Sequence, residues 1–263
     1  MARLSKHIGG MHAHFCKVAP CYNVLRTTDV GPVLYVRSLF KDRNRVRAAD
    51  IGCGAGRYNL LLFQHLPRLH LTCIDINESM VMETAHYLQS HGISNFSAVC
   101  AVIRNLELAN NTMDCILIFN AIHHFDPVDF LKKAANWLSN NGYVFIYTRL
   151  RSQNGKSIWG LYFPGFSKRE NRLYDLLNVE SWSDSLTSLS LSSIEFFKFK
   201  RKAALAQLVH QAKNEHYSTF SLYTRDAFQC ALKDFQKNIK RQFSDLGNIE
   251  WFDENVMIVF RKD

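Results

Sequence analysis

The sequence predicts one large α/β domain built on an open, mostly parallel sheet flanked by helices. Three observations carry this. Val46 to Ile51 reads as a short buried strand, Gly52-Cys53-Gly54-Ala55-Gly56 as a tight turn, and Arg57 to Leu66 as a helix. Leu71 to Ile74 reads as a second strand that ends at an acid, Asp75. Cys115 to Phe119 is a continuous apolar run, the pattern of a parallel strand covered on both faces.

The strand–glycine turn–helix unit is a ligand cradle. Glycines let backbone come close to a ligand, and the helix start points N–H groups at it. The glycines here fall as G-x-G-x-G, not as the dinucleotide pattern G-x-G-x-x-G, and Asp50 leads them. A carboxylate disfavours a neighbouring pyrophosphate and favours a cation. S-adenosylmethionine (SAM) has an ammonium and a sulfonium and no phosphate. Asp75 stands 19 residues after Gly56, where an acid at a strand tip can accept both ribose hydroxyls. A dehydrogenase is the least favoured class.

The 263 residues are enough for such a domain with appended parts, and 47% apolar content is ordinary for a globular core. No apolar run approaches the ~18 residues of a membrane span, and the N-terminus lacks an apolar signal region, so no membrane partner is expected. Seven scattered cysteines without a C-x-x-C pair suggest reduced thiols in a cytoplasmic protein and no metal site. The formal charge of +9 fits a mildly basic surface or a small anionic substrate better than a nucleic-acid partner.

In chain order, residues 1–14 read as a frayed end, where His12 and His14 are a weak metal pair. Residues 15–28 place Tyr22 and Arg26 at helical spacing, and Pro32 to Phe40 is an apolar helix. Asn77 or Ser79 caps a helix over 78–90, which Gly92 ends. Phe96 to Ile103 reads as strand three. Asn120 stands at the C-terminal end of strand four, where ligands of doubly wound sheets sit. His123 could act as a general base, but a packing role is the weightier reading for it and for His124. Asp126-Pro127 opens a helix to Leu138, Asn140-Asn141-Gly142 ends it, and Tyr143 to Tyr147 is strand five. From Arg151 aromatic and basic residues mix, and serines and leucines alternate from Ser183 to Ser193 as a helix or loop. Ser193 to Lys200 is strand six, Lys202 to His210 a helix, and Thr224 caps a helix through Gln242. Val256 to Phe260 is the last strand.

The motifs Asp50-Ile51-Gly52-Cys53-Gly54-Ala55-Gly56, Ile74 to Met80, Met113 to Ile118, Asn120 to Phe125 and Leu138 to Tyr143 occur in one order. Together they resemble the class I SAM-dependent methyltransferases, in particular the small-molecule branch with the ubiquinone-biosynthesis and trans-aconitate methyltransferases. The resemblance covers roughly residues 15–150 well.

It implies a Rossmann-like class I methyltransferase fold, with a seven-stranded, mostly parallel sheet and a helical lid insert. Residues 1–45 become N-terminal cap helices and 46–150 the SAM-binding core. Residues 151–192 and 201–248 become lid or substrate inserts, and 193–200 and 249–263 carry the last two strands. The reaction is methyl transfer from SAM to a small-molecule acceptor, anionic or aromatic by the lid's composition, leaving S-adenosylhomocysteine. The Pro-Pro-aromatic and Pro-Cys patterns of nucleic-acid methyltransferases are absent. By the resemblance, Gly52, Cys53, Gly54 and Gly56 pass backbone along the cofactor. Asp50 holds its ammonium, Asp75 its ribose, and Tyr22 and Arg26 lie near its carboxylate. Ile76 and Ile103 sandwich adenine, while Met80 and Asn120 line the site. The family's Gly-Asp-Ala after strand three is replaced at Ala101 and Val102, and Arg104 and Asn105 follow, with Asn105 an alternative acceptor for adenine. No catalytic base is assigned; Tyr22, His123, His216 and Tyr217 are weak candidates, and the cluster His216 to Phe220 could close the pocket. An RNA methyltransferase using the basic-aromatic interval 151–175 and a non-catalytic SAM-binding relative are the alternatives.

Overall fold

The computed structural model describes residues 26–263. Tyr22, the histidines at 12 and 14 and most of the predicted 15–28 helix lie outside them. The chain divides into two compact units. The sheet unit holds Thr27–Thr148, Leu176–Phe197 and Val256–Asp263; the other, here the helical unit, holds Arg26, Arg149–Asp175 and Lys198–Asn255 among the described residues.

The chain runs α1 (Gly31–Leu39), β1 (Val46–Ile51), α2 (Arg57–His65), β2 (Leu69–Asp75), α3 (Glu78–Ser90), β3 (Phe96–Cys100), β4 (Met113–Phe119), α4 (Pro127–Trp137) and β5 (Leu138–Thr148). Short helices follow at Arg151–Lys156, Ile158–Tyr162, Phe166–Arg169 and Leu176–Trp182. Then come β6 (Leu189–Ala203), α5 (Leu205–Lys213), α6 (Arg225–Gln242) and β7 (Ile249–Lys262). The seven-stranded sheet has the order β3-β2-β1-β4-β5-β7-β6. β1 pairs in parallel with β2 and β4, β2 with β3, and β4 with β5; β7 runs antiparallel to β5.

The order reverses between β1 and β4, so the C-terminal ends of these two strands form the switch point of the sheet. Cys115 to Ile118 of β4 are fully buried. Each such large aliphatic side chain contributes about 1.5–3 kcal/mol on burial. Predicted caps hold. Asn77 Oδ1 accepts the Met80 N–H at 3.2 Å and Asp126 Oδ1 the Asp129 N–H at 2.9 Å. At the end of α3, Gly92 takes φ +74° and the Ile93 N–H reaches back to the Leu88 carbonyl at 3.0 Å.

Several predicted boundaries differ. α4 ends at Trp137, and residues 138–142 belong to β5. Leu138 pairs with Met113 and Tyr143 with Cys115, so a bulge carries the extra residues, with Asn141 at φ +61°. Strand six spans Leu189–Ala203 rather than 193–200, because the Ser-Leu alternation is a period-two strand pattern, not a helix or loop. Strand three stops at Cys100, and Ile103–Asn105 is a 3-10 turn.

The helical unit has an aromatic core of its own. Trp159 stacks on Phe235 with centroids 5.1 Å apart, and Phe163 and Phe166 meet Phe220, each at 5.1 Å. A stacking surface for RNA in the 151–175 interval, the alternative to a small-molecule lid, is not supported by burial: Trp159, Phe163 and Phe166 are interior.

Candidate functional site

The glycine loop is fastened to the end of β2. The Gly52 and Cys53 N–H groups donate to the Ile74 carbonyl at 2.8 and 3.0 Å. The Gly54 N–H donates to Asp75 Oδ2 at 3.0 Å and the Asn77 N–H to Oδ1 at 2.9 Å. Asp75 is thus held by backbone through both oxygens.

Two glycines are fixed by their surroundings. Gly52 has φ +74°, and a Cβ on it would lie 2.5 Å from the Ala121 Cβ, just past the end of β4. Gly56 has φ +81°, and its Cβ would press on Thr84 at 3.2 Å. Thr84 Oγ1 also donates to the Gly54 carbonyl at 2.6 Å, so α3 braces the loop from behind.

Asp50 is buried beneath the loop. Asn59 of α2 donates Nδ2–H to Asp50 Oδ2 at 2.6 Å, and Asp50 Oδ1 is buried with no hydrogen-bond partner. Burial raises the Asp50 carboxyl to about 7; the Asn59 hydrogen bond opposes this, Asp75 adds to it, and Arg57 opposes it. Arg57 donates to the Thr27 carbonyl at 2.7 Å.

At the edge of β2, Ile76 is 51% exposed and Val102 is 45% exposed, an apolar surface beside the Asp75 carboxylate. Ile103 is half-buried, and Arg104 and Asn105 are exposed. Lys133 donates to the Arg104 carbonyl and, at 3.4 Å, to the Ile103 carbonyl, which fixes this turn. Met80, in the first turn of α3, is buried, and Cys53 is buried in the loop, where burial pushes its thiol pKa up. Asn120 adopts φ +58° with its N–H on the Tyr147 carbonyl at 2.7 Å.

The structure therefore brings Asp50, the glycines, Asp75, Ile76, Ile103 and Asn120 into one unit at the switch point. His123 belongs to the same unit, half-buried, its ring 4.1 Å from that of His124. His216, Tyr217 and Arg26 belong to the helical unit. There the Arg26 guanidinium lies 4.3 Å and that of Arg149 5.8 Å from the Tyr217 ring centroid. His216 is buried against Trp159 and Tyr217, at 5.1 and 4.3 Å, with Nδ1 3.1 Å from the Gln211 carbonyl. Burial and the neighbouring Arg26 and Arg149 charges hold its pKa well below the usual value near 6.5. Asn59, Thr84 and Ala121 were not anticipated. A buried acid one turn before a helix demands a donor on that helix, and this was the available signal for Asn59.

The residues fit a nucleoside cofactor with a cationic end. The orphaned Asp50 Oδ1 is an acceptor awaiting a donor, the Gly52 cradle has no room for a side chain, and Ile76 offers an exposed apolar face.

Sheet order and glycine loop are those of an open, Rossmann-like α/β fold. Residues 48–142 match the family described as "Methyltransferase domain". Over 110 residues the chain is 32% identical to the ubiquinone biosynthesis O-methyltransferase of Parvibaculum lavamentivorans, covering 41% of this chain and 42% of that protein. The chain thus spans about two fifths of the length of this curated relative. Among solved structures, the BH2331 protein of Bacillus halodurans C-125 superposes with a TM-score of 0.62 at 12% identity, over 90% of this chain and 99% of that one. The plantazolicin methyltransferase BpumL, solved with S-adenosylhomocysteine, gives 0.55 at 16% identity, over 89% and 84%. These two likenesses are of fold.

Proposed function

We propose that the chain is a SAM-dependent methyltransferase acting on a small-molecule acceptor. The observation that carries this is the pairing of a phosphate-averse loop, led by the buried Asp50, with the backbone-held Asp75. When bound, SAM supplies an electrophilic methyl group on a sulfonium. The chain's part is positioning in a shaped, water-poor site. Asp50 takes the ammonium, Asp75 the ribose diol, and Ile76 and Ile103 the adenine faces. Backbone or Asn105 replaces the family's adenine-binding acid. Asn120 lines the reactive side.

The acceptor carries an anionic or aromatic group. Arg26 and Arg149, set against Tyr217 in the helical unit, have side chains of the kind that would recognise either group. A neutral His216 is a proton acceptor by charge state, yet its seat among aromatic rings makes it a packing residue in this reading. Buried free thiols at Cys53, Cys73 and Cys115 fit a reducing, cytoplasmic setting.

The test is calorimetric titration with S-adenosylhomocysteine, with NAD and Asp75→Ala as controls. Saturable binding that Asp75→Ala weakens at least ~10-fold, with NAD inert, is expected from the loss of two charge-assisted contacts. Absence of binding would remove the methyltransferase reading. Transfer of label from SAM to anionic aromatic acceptors then tests the acceptor class.

A further inference from the structure

The positive charge is not shared between the two units. The described residues of the helical unit hold 17 lysines and arginines against 9 aspartates and glutamates; the sheet unit holds 12 against 14. The core that carries the glycine loop is slightly acidic, and the helical unit has a formal charge of +8.

On α6 the cations share a face. Lys233, Lys237, Lys240 and Arg241 recur at helical spacing and are exposed, while Leu232, Phe235 and Ile239 on the opposite face are buried. This helix leads into Gln242 and Phe243, which line a cleft of about 380 Å³ within the same unit. Leu161, Tyr162, Lys198, Trp251 and Phe252 form other parts of its wall. Leu161 is 61% and Phe252 51% exposed, and they are the two strongly exposed large hydrophobic residues of this unit among the described residues. The Lys198 ammonium lies 4.8 Å from the Phe252 ring centroid and 3.3 Å from Glu254.

We propose that this face docks on an anionic phospholipid bilayer. Leu161 and Phe252 enter the boundary between headgroups and acyl chains, and the cations of α6 meet the phosphates. Leu161 and Phe252 share the cleft wall with Lys156 and Lys198, and apolar tips among lysines are the pattern by which a protein lies on a membrane without crossing it. No helix among the described residues is long and apolar enough to cross one, so the contact is peripheral. A bilayer fits better than a nucleic acid. Leu161 offers hydrocarbon area and no π-face on which a base could stack. The proposal revises the expectation, made from the absence of a spanning segment, that no membrane is involved. It does not rest on methyl transfer.

The test uses the full chain without cofactor or acceptor. Flotation with vesicles of phosphatidylcholine alone, or mixed with phosphatidylglycerol, measures binding. The expected result is capture by the anionic vesicles only, weakened by salt. The triple variant K237Q/K240Q/R241Q lowers partitioning on the order of 100-fold, about fivefold per cation. L161S/F252S abolishes capture and, since both side chains are exposed, leaves the circular dichroism unchanged. Trp137, Trp159 and Trp182 are buried and Trp251 only half-buried, so a blue shift of emission on vesicle addition must vanish in Trp251→Phe. Equal capture by neutral vesicles or capture that survives L161S/F252S would each overturn the proposal.

Discussion

Asn59 donates its side-chain N–H to Asp50 at 2.6 Å, and both residues are buried at the base of the glycine loop. The second oxygen of Asp50 has no such partner. The carboxyl titrates near 7 in the folded protein, against an ordinary value of 3.8. Between these values the folded state holds a proton that the unfolded chain releases. The group's contribution is full below pH ~4 and is lost as pH rises through ~7, about 4 kcal/mol in all. Asp50→Asn is therefore expected to be more stable than the wild type at pH 8 in urea titrations without cofactor.

The same group makes cofactor binding release a proton. An ammonium favours the ionised carboxylate, so affinity for S-adenosylhomocysteine should rise from pH 6 to pH 8. Calorimetry in buffers of different ionisation enthalpy reads the released proton directly. In Asp50→Asn both the release and the pH dependence should disappear, with weaker binding throughout.

Gly52 and Gly92 share φ +74° but not their surroundings. An added Cβ at Gly92 meets nothing within 4 Å, and at Gly52 it meets Ala121 at 2.5 Å. Gly92→Ala should cost only the backbone strain, about 1 kcal/mol. Gly52→Ala should cost at least ~2 kcal/mol and also weaken cofactor binding. Thermal denaturation with and without S-adenosylhomocysteine separates the two.

His216 is buried and neutral, with its pKa pushed below the usual value near 6.5. The unfolded chain takes up the proton first, so this group's stabilisation is present above pH ~6.5 and is lost as pH falls below it. His216→Phe keeps the ring packing against Trp159 and should flatten the acid limb of the stability profile. A persisting acid limb in that variant would assign it to another group.

Glu170 is the polar anchor of the helical unit. It accepts two hydrogen bonds from Arg172, at 2.7 and 2.6 Å, and one from Thr219 at 2.6 Å. Glu170→Ala removes the ion pair of a mostly buried guanidinium, leaving it the Ser218 hydroxyl, and should destabilise by about 3 kcal/mol. Thr219→Val removes one bond and should cost about 1 kcal/mol. Measured together in a double-mutant cycle, the two losses should not add, because they share the carboxylate.

Much of the sheet unit was legible because its signals are local. The glycine spacing, the acid at the tip of β2 and the caps Asn77, Asp126 and Thr224 are each set by neighbours in sequence. Asn59 and Thr84 were not legible: both look like ordinary helix polar residues until α2 and α3 dock on the loop. The serine–leucine run misled because short alternating segments fit a loop as well as an edge strand. The division of charge was hidden for a different reason. The helical unit is assembled from separate stretches, so its cations look evenly spread along the chain.

The position of β7 bears on how the protein is made. Val256 to Phe260 are fully buried, and β7 lies between β5 and β6. The ribosome delivers β1 to β5 more than 100 residues before the strand that completes their sheet. During that interval the outer edge of β5, including Phe145 and Tyr147, has no partner from β7. The nascent chain thus carries an open apolar edge through much of its synthesis, a template for pairing with another copy until β7 arrives.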